Sequence, residues 1–145
     1  MRKGFTLIEV VLYVTIIAIM MTALIPFMGS ILINGARSQV SQEVTSNARF
    51  VSEKIKSEIR KATAITSAFG STLVLGETTF DLMNGKIRIN GVNLNSDDTT
   101  ISNLVFTNLV TGVKYSYTVS SNFGQSRKEY QSSIDIEGGA EMRSN

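Results

Sequence analysis

Cysteine and histidine are both missing from the 145-residue chain. The first absence excludes disulfide staples, thiolate metal sites and cysteine nucleophiles. The second removes the usual general base and the commonest metal ligand. Tryptophan is missing as well, and proline occurs once. Charge of one sign is scarce: 14 Lys and Arg stand against 12 Asp and Glu, a formal net charge of +2. A general nucleic-acid binder would be strongly basic. With 43% hydrophobic residues the chain has enough apolar material to fold. A typical hydrolase or metalloenzyme is disfavoured, and the residues point to no catalytic set, no cofactor and no metal ligands.

What is present is unevenly spread. Val10 to Ala36 are 27 consecutive residues without a charge, mostly Val, Leu, Ile, Met and Ala. About 20 such residues span a bilayer core as a helix. The stretch from Arg37 to Asn145 is polar, rich in Ser, Thr and Asn. The pattern predicts one membrane segment followed by one small exported domain. Arg2 and Lys3 precede the segment; by the positive-inside tendency they hold the N-terminus in the cytoplasm and send the domain outward. A cleavable secretory signal would carry an apolar stretch of roughly 7–15 residues and a small-x-small cleavage site. The stretch here is about twice that length, and Asn34 stands two residues before Ala36 where a small residue is wanted.

Glu9 sits at the start of the apolar run, where a carboxylate costs up to about 2–3 kcal/mol and calls for a partner or an interfacial position. Its setting is specific. The run Lys3-Gly4-Phe5-Thr6-Leu7-Ile8-Glu9-Val10 resembles the processing signature of type IV prepilins and pseudopilins: a short basic leader ending in Gly, an aromatic residue, and a Glu five residues after the Gly. Pro26 falls where that family places its helix-kinking proline. The resemblance covers about the first 35 residues.

The resemblance implies an α+β, pilin-like fold and a set of residue roles. Gly4 would end a leader of residues 1–4, with cleavage between Gly4 and Phe5 by a prepilin peptidase and N-methylation of the freed Phe5 amine. Loss of Arg2 and Lys3 would leave 12 basic against 12 acidic side chains and remove the cytoplasmic anchor. Glu9 would pair with the N-terminal amine of a neighbouring subunit, each charge neutralising the other in an apolar setting. The implied partners are the peptidase, other pilins or pseudopilins reached through the N-terminal helix, an inner-membrane assembly platform and membrane lipid. The implied location is the bacterial plasma membrane, crossed once, and then an extracellular or periplasmic filament.

Beyond the membrane segment (residues 5–36) the helical period continues. Val40, Val44, Ala48, Val51, Ile55, Ile59 and Ala62 recur at intervals of three and four, the apolar stripe of an amphipathic helix over residues 37–66. Together the two parts predict a rod of roughly 90 Å. Pro26, Gly29 and Gly35 predict bending near the membrane exit. From Thr72 the period becomes two, predicting strands at Thr72–Leu75, Thr78–Leu82, Lys86–Asn90, Ile101–Asn108, Val113–Ser120 and Gln131–Glu137. Asn84-Gly85 is a hairpin signal, and Asn90-Gly91 and Thr111-Gly112 mark further turns. A helix followed by antiparallel strands predicts the helix laid across one face of a sheet spanning residues 67–137, with residues 138–145 as a loose tail.

The segment Arg49 to Ala62 resembles the post-membrane helix of J/W-type minor pilins and pseudopilins, and Glu58-Ile59-Arg60-Lys61-Ala62 matches their acid-apolar-Arg-x-Ala ending. Lack of cysteine departs from many major pilins, whose C-terminal loop is closed by a disulfide, and leans toward a minor subunit. Other readings stay open. Asn93-x-Asn95-x-Asp97 has the spacing of the first calcium-loop ligands, but Asp98 replaces the loop glycine and Leu104 the closing Glu. This leaves a solvated turn or a calcium site of another kind. Arg60-Lys61 and Arg127-Lys128 are the basic pairs that could touch DNA, without the aromatic-rich groove that nucleic-acid binding favours. The alternatives are thus a filament subunit that binds DNA or a surface, and a single-pass anchored domain that never polymerises.

Overall fold

The computed structural model describes residues 6–123 and 130–143. The chain divides into two compact units, residues 1–36 and 37–145. One α-helix, α1 (Leu7–Lys61), supplies the described part of the first unit and the opening element of the second. In the first unit the large apolar side chains, from Leu7 to Ile33, are exposed. An uninterrupted apolar surface of that extent marks a membrane or partner-facing segment, and α1 is long and apolar enough to cross a bilayer.

Among the described residues of the second unit, eight antiparallel strands form one sheet: β1 (Ser67–Gly70), β2 (Thr72–Leu75), β3 (Thr78–Met83), β4 (Lys86–Ile89), β5 (Val92–Asn93), β6 (Thr99–Leu109), β7 (Gly112–Ser121) and β8 (Ser133–Glu141). Their spatial order is β5-β4-β3-β2-β1-β6-β7-β8. Two meanders thus run outward from a central β1–β6 pair, in which Phe69 faces Thr107 and Gly70 faces Phe106. The architecture is α+β and pilin-like, as the sequence pattern predicts.

The helical stripe is the core. Val40, Val44, Ala48, Val51, Ile55 and Ile59 are buried, and Ala62 packs at the margin. From Val44 onward they meet Leu73, Leu75, Phe80, Ile87, Ile101, Leu104, Phe106, Val113, Tyr115, Tyr117 and Val119 from the sheet. Each such aliphatic side chain stabilises the fold by about 1.5–3 kcal/mol relative to exposure. Two hydroxyls on β7 cross the interface. Tyr117 Oη donates to the Ala48 carbonyl at 2.7 Å, and Tyr115 Oη lies 2.7 Å from Ser52 Oγ. The two rings, adjacent on one face of the strand, stack at 6.1 Å and 20°.

Four features differ from the sequence-based expectation, each for a local reason. The helix ends at Lys61, not Thr66, because the Thr66 N–H is taken by the Val74 carbonyl at 2.9 Å, and Thr63, Ile65 and Thr66 are β-branched residues that suit extended chain. Strand β1 follows at once; with Phe69 as its single large side chain, and that one exposed, it shows no alternation to read. The β6–β7 turn is Val110-Thr111, so Gly112 belongs to β7, where a side chain would run into the Ala140 carbonyl. The last strand is Ser133–Glu141 rather than 131–137 with a loose tail. Gly138 lies in it opposite Tyr115, whose ring fills the place of a Cβ with Oη 2.5 Å away. A Gly-Gly pair that reads as a breaker is here the seat of an aromatic ring.

Two hairpins follow the sequence signals. Asn84 and Gly85 have φ of 51° and 71°, and Asn90 and Gly91 have 49° and 83°. Positive φ at both central residues is the turn whose twist matches the flanking strands, and Asn-Gly adopts it at least cost.

Candidate functional site

Gly4 and Phe5, together with Arg2 and Lys3, lie outside the described residues; the described part of the N-terminal signal begins at Thr6. Thr6 precedes the first helical residue, and Glu9 stands in the first turn. The Thr6 carbonyl accepts from the N–H groups of Glu9 at 3.1 Å and Val10 at 3.3 Å. In return, Glu9 Oε2 lies 3.5 Å from the Thr6 N–H as its acceptor. This is the reach-back half of a capping box, in which the third helical residue satisfies a donor the helix leaves orphaned. The helix N-terminus also carries partial positive charge, which favours a carboxylate there. The free-standing chain therefore gives Glu9 a partner of its own. The sequence offers the signal for this cap in the Thr6-x-x-Glu9 pattern before an apolar run, although the family resemblance draws attention to Glu9 alone.

The apolar part of the helix keeps its threonine hydroxyls to itself. Thr15 Oγ1 donates to the Val11 carbonyl at 2.8 Å, and Thr22 Oγ1 reaches the Ile19 carbonyl at 2.8 Å and that of Ala18 at 3.2 Å. Hydroxyls bonded back into their own helix can face hydrocarbon. Pro26 stands inside α1. Lacking an N–H, it has no hydrogen bond to give the carbonyl of Thr22, four residues back.

Residues 1–25 match the family described as the prokaryotic N-terminal methylation motif. The chain carries the class III signal of type IV pilins. Neither curated proteins nor solved structures give a match to the chain. The signal supports a type IV pilin-like precursor, and it implies processing by prepilin peptidase and assembly with other pilins. The long apolar helix behind it fits anchoring in the inner membrane. Proteins with this signal are generally structural rather than catalytic.

The other sequence candidates resolve differently. Asn95, read as part of a solvated turn or calcium loop, is buried: its Oδ1 accepts from the Ile87 N–H at 3.0 Å, and its Nδ2 donates to the Thr99 carbonyl at 2.8 Å. The oxygens around it face the Lys86 ammonium, which bonds the Ser96 carbonyl, the Thr99 carbonyl at 3.2 Å and Asp97 Oδ1 at 3.2 Å. A side-chain cation thus sits where the spacing suggested a metal, and no group of three or more acidic ligands lies together among the described residues. Glu43 and Asn47 tie this loop to α1: Ser96 Oγ donates to Glu43 Oε1 at 3.0 Å, and the Ser96 N–H to Asn47 Oδ1 at 2.9 Å.

Of the basic pairs, Arg127-Lys128 lies outside the described residues. Arg60 and Lys61 close the last turn of α1, where cations complement the helix dipole. Lys61 is paired with Glu58 at 3.2 Å, as is Lys54 at 3.1 Å. Burial alone would push the Glu58 carboxyl up, but the two lysines hold it below its ordinary value.

Proposed function

We propose that this chain is the precursor of a minor pilin or pseudopilin, a non-catalytic subunit of a type IV pilus or of a type II secretion-like pseudopilus. In this reading prepilin peptidase cuts between Gly4 and Phe5, removes Arg2 and Lys3 with the leader, and methylates the Phe5 amine. The match at residues 1–25 carries the proposal, and the exposed apolar helix behind it supports it. Before cleavage the basic leader holds the N-terminus in the cytoplasm and the residue 37–145 unit outside. After cleavage Glu9 exchanges its long contact with the Thr6 N–H for the cationic Phe5 amine of a neighbouring subunit. An ion pair in an apolar setting outweighs a 3.5 Å hydrogen bond. Pro26 gives the helix its bend, and the subunit joins its neighbours and the inner-membrane assembly platform through the N-terminal helix.

Intact mass of the membrane-extracted protein, with and without co-expressed prepilin peptidase, tests the proposal. Loss of Met1 to Gly4, with one methyl added to Phe5, is the expected result. Retention of the leader in the presence of an active, compatible peptidase would overturn it. Glu9→Ala should leave cleavage intact and block incorporation into fibres, read as protein retained in the membrane fraction.

A further inference from the structure

Strand β8 ends the sheet; among the described residues no strand pairs with its outer edge, which is well formed. It pairs with β7 over nine successive residues, from Gly112↔Glu141 to Ser120↔Ser133, with no break in register. It contains no proline, lysine or bulge; of the devices that blunt an edge it carries only charge, in Asp135, Glu137 and Glu141. The flanking bonds fix which backbone groups point where: the Ser132 carbonyl accepts from the Ser121 N–H at 2.9 Å, and the Met142 N–H donates to the Thr111 carbonyl at 3.0 Å. By antiparallel alternation, Ile134, Ile136, Gly138 and Ala140 spend their backbone groups on β7. Ser133, Asp135, Glu137, Gly139 and Glu141 turn theirs outward.

The same residues set the chemistry of the edge. Asp135 and Glu137 stand side by side on the exposed face, partnered by Thr118 Oγ1 at 2.7 Å and Lys114 Nζ at 3.5 Å. Lys114 thus answers Glu137, while Asp135 is met by a neutral hydroxyl. Glu141 adds a third carboxylate, at the end of the strand near Arg60 and Arg143. A second copy of the chain fits this edge poorly. A two-fold β8–β8 pair sets Glu137 against Glu137, Asp135 or Glu141 in its central registers, and like charges directly opposite are destabilising. The opposite edge, β5, has only two residues to offer.

We propose that β8 is a docking edge for an extended segment of another protein, which adds to the sheet as a ninth strand and places basic side chains opposite Asp135 and Glu137. Main-chain hydrogen bonds supply the attachment and the alternating charge supplies the choice of partner. The open face at Gly139, where a Cβ would meet nothing closer than 3.4 Å, leaves room for a bulky side chain on the incoming strand.

The test uses the full chain in detergent micelles and a nine-residue probe peptide alternating Thr and Lys, followed by amide NMR. Bound peptide should slow hydrogen exchange at Asp135, Glu137 and Gly139, while Ile134, Ile136 and Gly138, already bonded to β7, stay unchanged. The same peptide with Glu for Lys should not bind. Gly139→Pro removes one outward donor and leaves every carboxylate in place; it should weaken binding about tenfold relative to Gly139→Ala. Equal binding by the two variants, peptide-induced changes centred away from β8, or dimerisation of the chain alone through β8 would each overturn the proposal. If Gly139→Pro fails to fold, the odd-even exchange pattern in the unmodified chain decides.

Discussion

Tyr117 reaches from β7 to the main chain of the helix, its Oη donating to the Ala48 carbonyl at 2.7 Å. Beside it, Tyr115 Oη and Ser52 Oγ share a buried hydrogen bond at 2.7 Å. Both phenols are pushed above their ordinary value by burial, Tyr117 the more strongly. A raised phenol favours the neutral form in the folded state. This stability is fully present below the unfolded value near pH 10 and is lost as pH rises above it. The residue 37–145 unit should therefore unfold cooperatively at alkaline pH, earlier than a Tyr115→Phe, Tyr117→Phe double variant loses its own structure relative to neutral pH. Circular dichroism against pH checks this.

Each hydroxyl should also be measurable at neutral pH. Tyr117→Phe should lower stability by about 1 kcal/mol. Ser52→Ala and Tyr115→Phe should each cost a similar amount and combine non-additively, since the two groups are each other's partner. Urea midpoints of the single and double variants give the coupling directly.

Gly138 and Gly139 are neighbours with opposite expectations. A Cβ at Gly138 meets Tyr115 Oη at 2.5 Å and Cζ at 2.6 Å, whereas one at Gly139 meets nothing closer than 3.4 Å. Gly138→Ala should destabilise by about 1–3 kcal/mol through overpacking. Gly139→Ala should be neutral or stabilising by a few tenths of a kcal/mol, because glycine is a poor strand residue. Paired thermal melts separate the two.

The helix–sheet contact is deep enough that one truncation should cost a large share of the stability. Ile55 is fully buried at the centre of the stripe. Ile55→Ala should cost about 2–5 kcal/mol, a large part of the roughly 5–15 kcal/mol typical of a domain. Phe50, exposed on the other side of α1, should tolerate Ala with a change of about 0.5 kcal/mol or less.

Lys86 ties its loop together through the Ser96 and Thr99 carbonyls and Asp97, so Lys86→Met should loosen residues 95–99 and lower the melting point. Calcium added to the unmodified chain should leave that melting point unchanged. A calcium-dependent rise would mean that the loop oxygens bind the ion in preference to the lysine.

Much of this was legible in the residues. The stripe Val44, Ala48, Val51, Ile55 and Ile59 named the buried face because helical period depends on local spacing alone. The Asn-Gly turns were equally local. What stayed hidden depends on distant partners. Gly138 reads as a breaker until Tyr115 is placed across from it. In β6, Ile101 and then Leu104 and Phe106 are buried, a change of parity. A bulge makes it possible: Asn103, at φ 53°, lies between the Ser102 and Val105 pairings. The spacing of three in an otherwise alternating strand was the available sign. At the N-terminus, Glu9 was evident as an anomalous charge, while its bond to Thr6 required recognising a helix start inside a membrane signal.

The threonines of the apolar helix carry one more consequence. Because Thr15 and Thr22 close their hydroxyls onto carbonyls one turn back, neither presents a hydroxyl donor to its surroundings. Around that part of the helix, a neighbouring helix finds shape and dispersion but no hydroxyl donor from these two positions, so turning or sliding there breaks no bond these threonines donate. In the proposed assembly, positional information is concentrated at the Glu9 end. A bundle of such helices would be fluid along its length and keyed at one level, able to rearrange laterally without losing its axial step.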